Sequence, residues 1–138
     1  MTLPIIKAYK VLNQSLNLKT IMDDIHGSER EMSMIFTGRI PKKYQLETEA
    51  PFICLSNCVI TPDFRSDNQT EIEKLEFVLE LWTQKIEDLE PILEEVDRLL
   101  KTIGIEPIQY GMDGENELDL RIGWKKYVGI FPKNGEEK

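Results

Sequence analysis

FICLSNCVI (52–60), TPDFRSDNQTEIEK (61–74) and LEFVLELWT (75–83) run without interruption, two strand-like segments around a polar one. In the third, Leu75, Phe77, Leu79 and Leu81 alternate with Glu76, Val78, Glu80 and Trp82. That period of two sends one face of a strand into a core and leaves Glu76 and Glu80 in water. The first segment is apolar on both faces, with Phe52, Cys54, Cys58 and Ile60 on one and Ile53, Leu55 and Val59 on the other. A strand covered on both sides is expected near the centre of its sheet.

Directly after this pair comes a helix. Leu89, Ile92, Leu93, Val96, Leu99, Leu100 and Ile103 recur at helical spacing and form one apolar stripe. Asp88 suits its N-cap, Pro91 is tolerated in the first turn, and Gly104 fits a left-handed stop. Strand, polar segment, strand and helix together outline an α+β fold. A mostly antiparallel sheet of about four to five strands is expected, packed against an N-terminal helix and this long amphipathic one.

Outward from this core, Leu3–Leu16 reads as the leading helix, with Pro4 in its first turn. LKTIMDDIHGSER (18–30) reads as irregular, and MSMIFTGRI (32–40) as a short strand broken by Gly38. KKYQLETEA (42–50) reads as an exposed connection. Toward the C-terminus, pairing Met112 with Leu118, Tyr110 with Leu120 and Ile108 with Ile122 gives a closing hairpin with its apolar residues on one face. The whole chain, 1–138, is expected to be a single domain with a protruding loop at 61–74 and a frayed tail from about 132.

Composition sets limits on function. Hydrophobic residues make up 41% and charged residues 30% of the chain, as in an ordinary soluble globular protein. No apolar run approaches the length of a membrane helix. With 25 acidic against 17 basic residues, the net charge of −8 disfavours a non-specific nucleic-acid binder. Cys54 and Cys58, four apart on a strand, lie roughly 13 Å from each other. That is too far for a disulfide, so both are expected to be free, buried thiols.

Chemistry-bearing patterns are few. Asp23, Asp24 and His26 could make a metal or acid/base site, but no second histidine, HExxH spacing or nucleophile accompanies them. The two cysteines lack a zinc-ligand spacing. The carboxylates between Glu87 and Asp97 read as helix-terminal and solvated. No catalytic, cofactor or metal residues are therefore expected. The 61–74 loop is long and carries Phe64 and Arg65 among polar neighbours. It reads either as a partner contact or as a mobile connection. Phe64, Arg65, Asp67 and Asn68 are the candidate interface residues.

The order of elements resembles the tail-terminator (tail-completion, head–tail joining) proteins of long-tailed bacteriophages, especially those of phages of Gram-positive bacteria. The residues that carry the likeness are a leading helix, a short strand ending at Arg39-Ile40-Pro41, FICLSNCVI and LEFVLELWTQ around a polar loop, a long helix and a closing hairpin. The resemblance spans about Leu3 to Ile130. It implies a non-enzymatic virion protein at the tail end, assembled in the host cytoplasm as a homohexameric ring. Such a ring terminates the tail tube, docks the head connector and lets DNA pass without sequence-specific binding. Its expected partners are further copies of itself, the tail-tube protein and a head-completion or connector protein. The competing reading is an acidic protein-binding module, an immunity or inhibitor protein that mimics nucleic-acid charge.

Overall fold

Leu75, Phe77, Leu79 and Leu81 are all fully buried, so the alternation in this strand is a true inside–outside pattern. The computed structural model describes residues 3–64, 71–113 and 118–132. In chain order its elements are α1 (Pro4–Asn13), α2 (Leu16–His26), β1 (Ile35–Thr37), β2 (Phe52–Phe64), β3 (Glu71–Thr83), α3 (Leu89–Lys101), β4 (Ile105–Asp113) and β5 (Arg121–Pro132). Short 3-10 turns occur at Lys42–Tyr44, Glu47–Glu49 and Ile86–Asp88. The strands form one sheet in the order β1-β2-β3-β5-β4. Only the β1–β2 pair is parallel. The architecture is α+β, with the sheet packed against the N-terminal helices and α3.

The helices cover one face. Leu89, Ile92, Val96, Leu99 and Leu100 of α3 are buried, each stabilising the fold by about 1.5–3 kcal/mol before entropy is counted. Opposite them β5 carries glycine: a Cβ at Gly123 would stand 3.2 Å from the Leu89 side chain. Two residues on, Lys125 and Tyr127 reach the same helix. Lys125 Nζ donates to Asp97 Oδ2 at 2.6 Å, and Tyr127 Oη to Asp97 Oδ1 at 2.6 Å. The Tyr127 ring also stacks on Phe77 of β3, 5.5 Å between centroids. Burial and the Asp97 carboxylate push the Tyr127 hydroxyl well above the ordinary tyrosine range.

The outer face has a smaller apolar patch. Phe52 stacks on Trp82 at 5.6 Å, and Gly38, Arg39, Ile40, Gln45 and Leu118 border the shallow space above them. At the sheet's β1 end, Phe36 stacks on Tyr44 at 5.4 Å.

Several expectations are corrected. The leading helix ends at Asn13 rather than Leu16, and the stretch expected to be irregular is mostly α2. Its caps account for it: the Ser15 hydroxyl accepts from Leu18 N at 3.1 Å, and Gly27 closes it with φ of 99°. The polar segment 61–74 is not a loop throughout, and its residues 65–70 lie outside the described ones. Thr61–Phe64 pair with Glu71–Lys74 as extensions of β2 and β3, because an exposed antiparallel ladder places no demand on side-chain polarity. Strand β2 is not one continuous pleat. A bulge between Ser56 and Val59, with Asn57 at φ of 53°, sets two residues against one. Side-chain parity reverses there. Ile53 and Leu55 face the helices before it and Ile60 after it, while Cys58 becomes exposed instead of buried.

The closing hairpin is corrected too. Tyr110 pairs with Lys125, Met112 with Gly123 and Asp113 with Ile122, so the register is displaced by several residues from the expected one. A bulge between Pro107 and Gln109 is part of this alignment. Its apolar residues divide between the two faces: Tyr110 and Met112 lie on the helix side, Ile122 and Trp124 on the outer side. The tail beyond residue 132 lies outside the described residues.

Two expected outcomes test this packing. Asp97→Ala leaves the Tyr127 hydroxyl buried without its acceptor, which costs about 1–3 kcal/mol. Adding Tyr127→Phe recovers part of that loss, and urea unfolding of the two single variants and the double variant measures the coupling. The second concerns acid. Burial alone would raise the Asp23 carboxyl, but hydrogen bonds from Lys19 and Arg30 outweigh it and hold the group below its ordinary 3.8. Glu95 is likewise lowered, chiefly by Arg98. A depressed carboxyl stabilises the fold above its unfolded value and loses that contribution as pH falls through the folded one. The urea midpoint is therefore expected to drop below pH 3.8, and Asp23→Asn to lower it at pH 7 while flattening the acid limb.

Candidate protein-interaction surfaces

The residues with the most reactive chemistry are occupied by the fold. Asp23 accepts hydrogen bonds from Lys19 Nζ at 2.7 Å and Arg30 Nε at 3.3 Å. Arg30 Nη1 in turn donates to the carbonyls of Glu49 and Pro51 at 2.7 and 3.1 Å. This network ties the end of α2 to the turn that precedes β2. His26 sits in the last turn of α2, with Nε2 2.9 Å from the Thr48 carbonyl and Nδ1 3.1 Å from the Ser28 hydroxyl. Asp24 is exposed. The Asp23, Asp24 and His26 cluster read from the sequence is thus divided between a structural ion pair, a helix end and solvent.

Burial pushes the Cys54 thiol up to about 11, and the nearby Glu80 adds to the effect. Cys58, although exposed to solvent on one side, is raised too by partial desolvation against its neighbours. Both thiols are free and protonated near neutral pH, which suits neither a nucleophile nor a metal ligand. Among the described residues, no group of three His, Cys, Asp or Glu side chains gathers as a metal site would require. The α3 carboxylates need a correction. Glu95 is buried and paired with Arg98 (Nε to Oε1, 3.0 Å), and Asp97 clamps β5; only their neighbours such as Glu90 and Glu94 face solvent.

What remains is surface suited to contacts with protein. The first element is the β2–β3 hairpin. Each strand has 13 residues, a length of roughly 40 Å. β1 pairs with β2 only from Ile53 to Leu55. Beyond Leu55, no described strand runs along the outer edge of β2, and Pro62 lies there, as proline in a strand prefers. Phe64 ends β2 opposite Glu71. Arg65, Asp67 and Asn68 lie outside the described residues.

The second element was hidden from the sequence. At the other edge of the sheet, a groove of about 710 Å³ runs between the N-terminal half of α3 and β4. Leu89, Leu93, Tyr110 and Met112 line it, with Glu90 and Glu94 at its rim. Tyr110 is 72% exposed and Met112 58%, values unusual for large apolar side chains beside an open strand edge. The groove exists only because the actual hairpin register turns Tyr110 and Met112 toward α3. The expected register would have paired Tyr110 with Leu120 and Met112 with Leu118 instead of with Lys125 and Gly123.

No protein-family model and no curated protein matches this chain. Its fold, however, matches solved structures. A chain in the virion of a native gene transfer agent particle aligns with a TM-score of 0.62 at 11% identity, over 91% of this chain and 91% of that one. The likeness is one of fold, and it extends through almost the whole of both chains.

Proposed function

We propose that this protein is a non-enzymatic structural component of a phage-type particle, acting at the end of the tail. It assembles as a ring of six copies that terminates the tail tube and receives the head connector. The observation that carries this reading is the fold shared, end to end, with a chain of a gene transfer agent virion. The surface supports it: a long hairpin and an open edge strand stand on opposite sides of the sheet. Opposite open edges suit heterologous contacts, which close into rings when the rotation between copies allows. An overall charge of −8 suits a ring through which DNA slides without adhering. The partners in this reading are further copies of the chain, the tail-tube protein and a head-completion or connector protein.

Size exclusion with light scattering across a concentration series, without and with purified tail tubes, is the test. The expected result is a species of about six 16.1 kDa chains, or binding confined to tube ends. A monomer at every concentration that also ignores tail tubes, yet binds and silences a basic nuclease, would replace this reading with the inhibitor one.

A further inference from the structure

The groove between α3 and β4 is apolar at its floor and acidic at its rim. Leu89, Leu93 and Met112 form part of the floor, while Glu90 and Glu94 are exposed above it. Among the described residues neither carboxylate makes an ion pair. The opposite edge of the same sheet has the complementary character. After β1 the chain turns outward through Arg39 and Lys42, both exposed, to Leu46, an apolar side chain 50% exposed. Tyr44, stacked on Phe36 of β1, fixes this segment at that edge. The strand order β1-β2-β3-β5-β4 puts the two surfaces at opposite ends of the sheet, so one copy cannot satisfy both by folding on itself.

We propose that the α3–β4 groove of one copy receives the Arg39–Leu46 segment of a second copy, with Leu46 on the apolar floor and Arg39 and Lys42 against Glu90 and Glu94. The argument for a second copy is charge complementarity on a chain that otherwise repels itself. At −8 two copies repel on approach, so a contact that brings opposite charges face to face is favoured over others, and such pairing also fixes the register of contact. Burying Leu46, Tyr110 and Met112 removes apolar surface that each copy exposes alone. The contact is head-to-tail: each copy offers a groove on one side and a segment on the other. It deepens the ring reading and names the surfaces through which neighbours meet.

Charge reversal tests it. A groove variant (Glu90→Lys, Glu94→Lys) and a segment variant (Arg39→Glu, Lys42→Glu) alter exposed side chains only, and circular dichroism verifies that both remain folded. Each variant alone sets like charges across the contact, so self-assembly is expected to weaken by at least about a hundredfold. Mixed in equal amounts, each variant's groove finds a complementary segment only on the other, and an even-membered ring can close again. Light scattering is expected to show monomers for each variant and the wild-type mass for the mixture. If wild type forms a ring and both variants do so equally well, this contact is overturned while the ring stands. If the variants lose assembly and the mixture does not regain it, the contact is overturned as well. If wild type forms open chains or dimers that the variants abolish and the mixture restores, the contact stands and the ring falls. A wild type that remains monomeric at every concentration, with tail tubes as well as without them, overturns both.

Discussion

The docking of α3 across β3 and β5 governs the rest of the molecule. Its apolar stripe lies against the fully buried leucines of β3, and it lies close because Gly123 offers no side chain beneath Leu89. Close approach brings Asp97 within reach of Lys125 and Tyr127, so one carboxylate pins the helix to two positions on the same face of β5. Those contacts determine which residues of β5 face inward. The register of β5 then determines that of β4, and the groove follows from it. An apolar contact thus sets the polar geometry, and the polar geometry decides which surface is left for partners.

Charge is used in two ways. Where a carboxylate is buried it has a cation beside it: Asp23 with Lys19 and Arg30, Glu95 with Arg98. An isolated charge in those places would be costly, whereas a paired one is tolerated and restricts how the elements can meet. The carboxylates near the start of α3 are different. Being exposed, they contribute little to the fold and remain free to act on whatever approaches. The same helix therefore stabilises the protomer at one end and presents an acidic border at the other.

Much of this fold was legible in the residues. The alternation in β3 and the stripe of α3 come straight from side-chain periodicity, although β3 begins earlier, at Glu71, and α3 ends at Lys101, short of Ile103, with no side-chain cap from Asp88. Helix α2 carried a readable signal in Ser15 and Gly27, yet the polar run KTIMDDIH outweighed it. The bulges were not legible. One extra residue at Asn57 or Ile108 exchanges the faces of everything beyond it, and no local composition announces it. The hairpin register was misread for a related reason: grouping all apolar residues on one face ignored the second apolar patch around Phe52 and Trp82. The groove depends on tertiary register, so it was invisible until that register was known. Of the four loop residues singled out, only the backbone of Phe64 lies among the described residues.

The pairing of β3 with β5 has a consequence in time. It joins residues as far apart as Ile72 and Pro132, with α3 and β4 emerging between them. Loop closure on that scale must precede the contacts that reward it. On the ribosome, β3 waits for its neighbour until β5, the last described strand, has been synthesised. Neither the groove nor the finished sheet edge exists before then. A nascent chain therefore lacks the groove until β5 has emerged, and a copy short of β5 cannot take up a neighbour there.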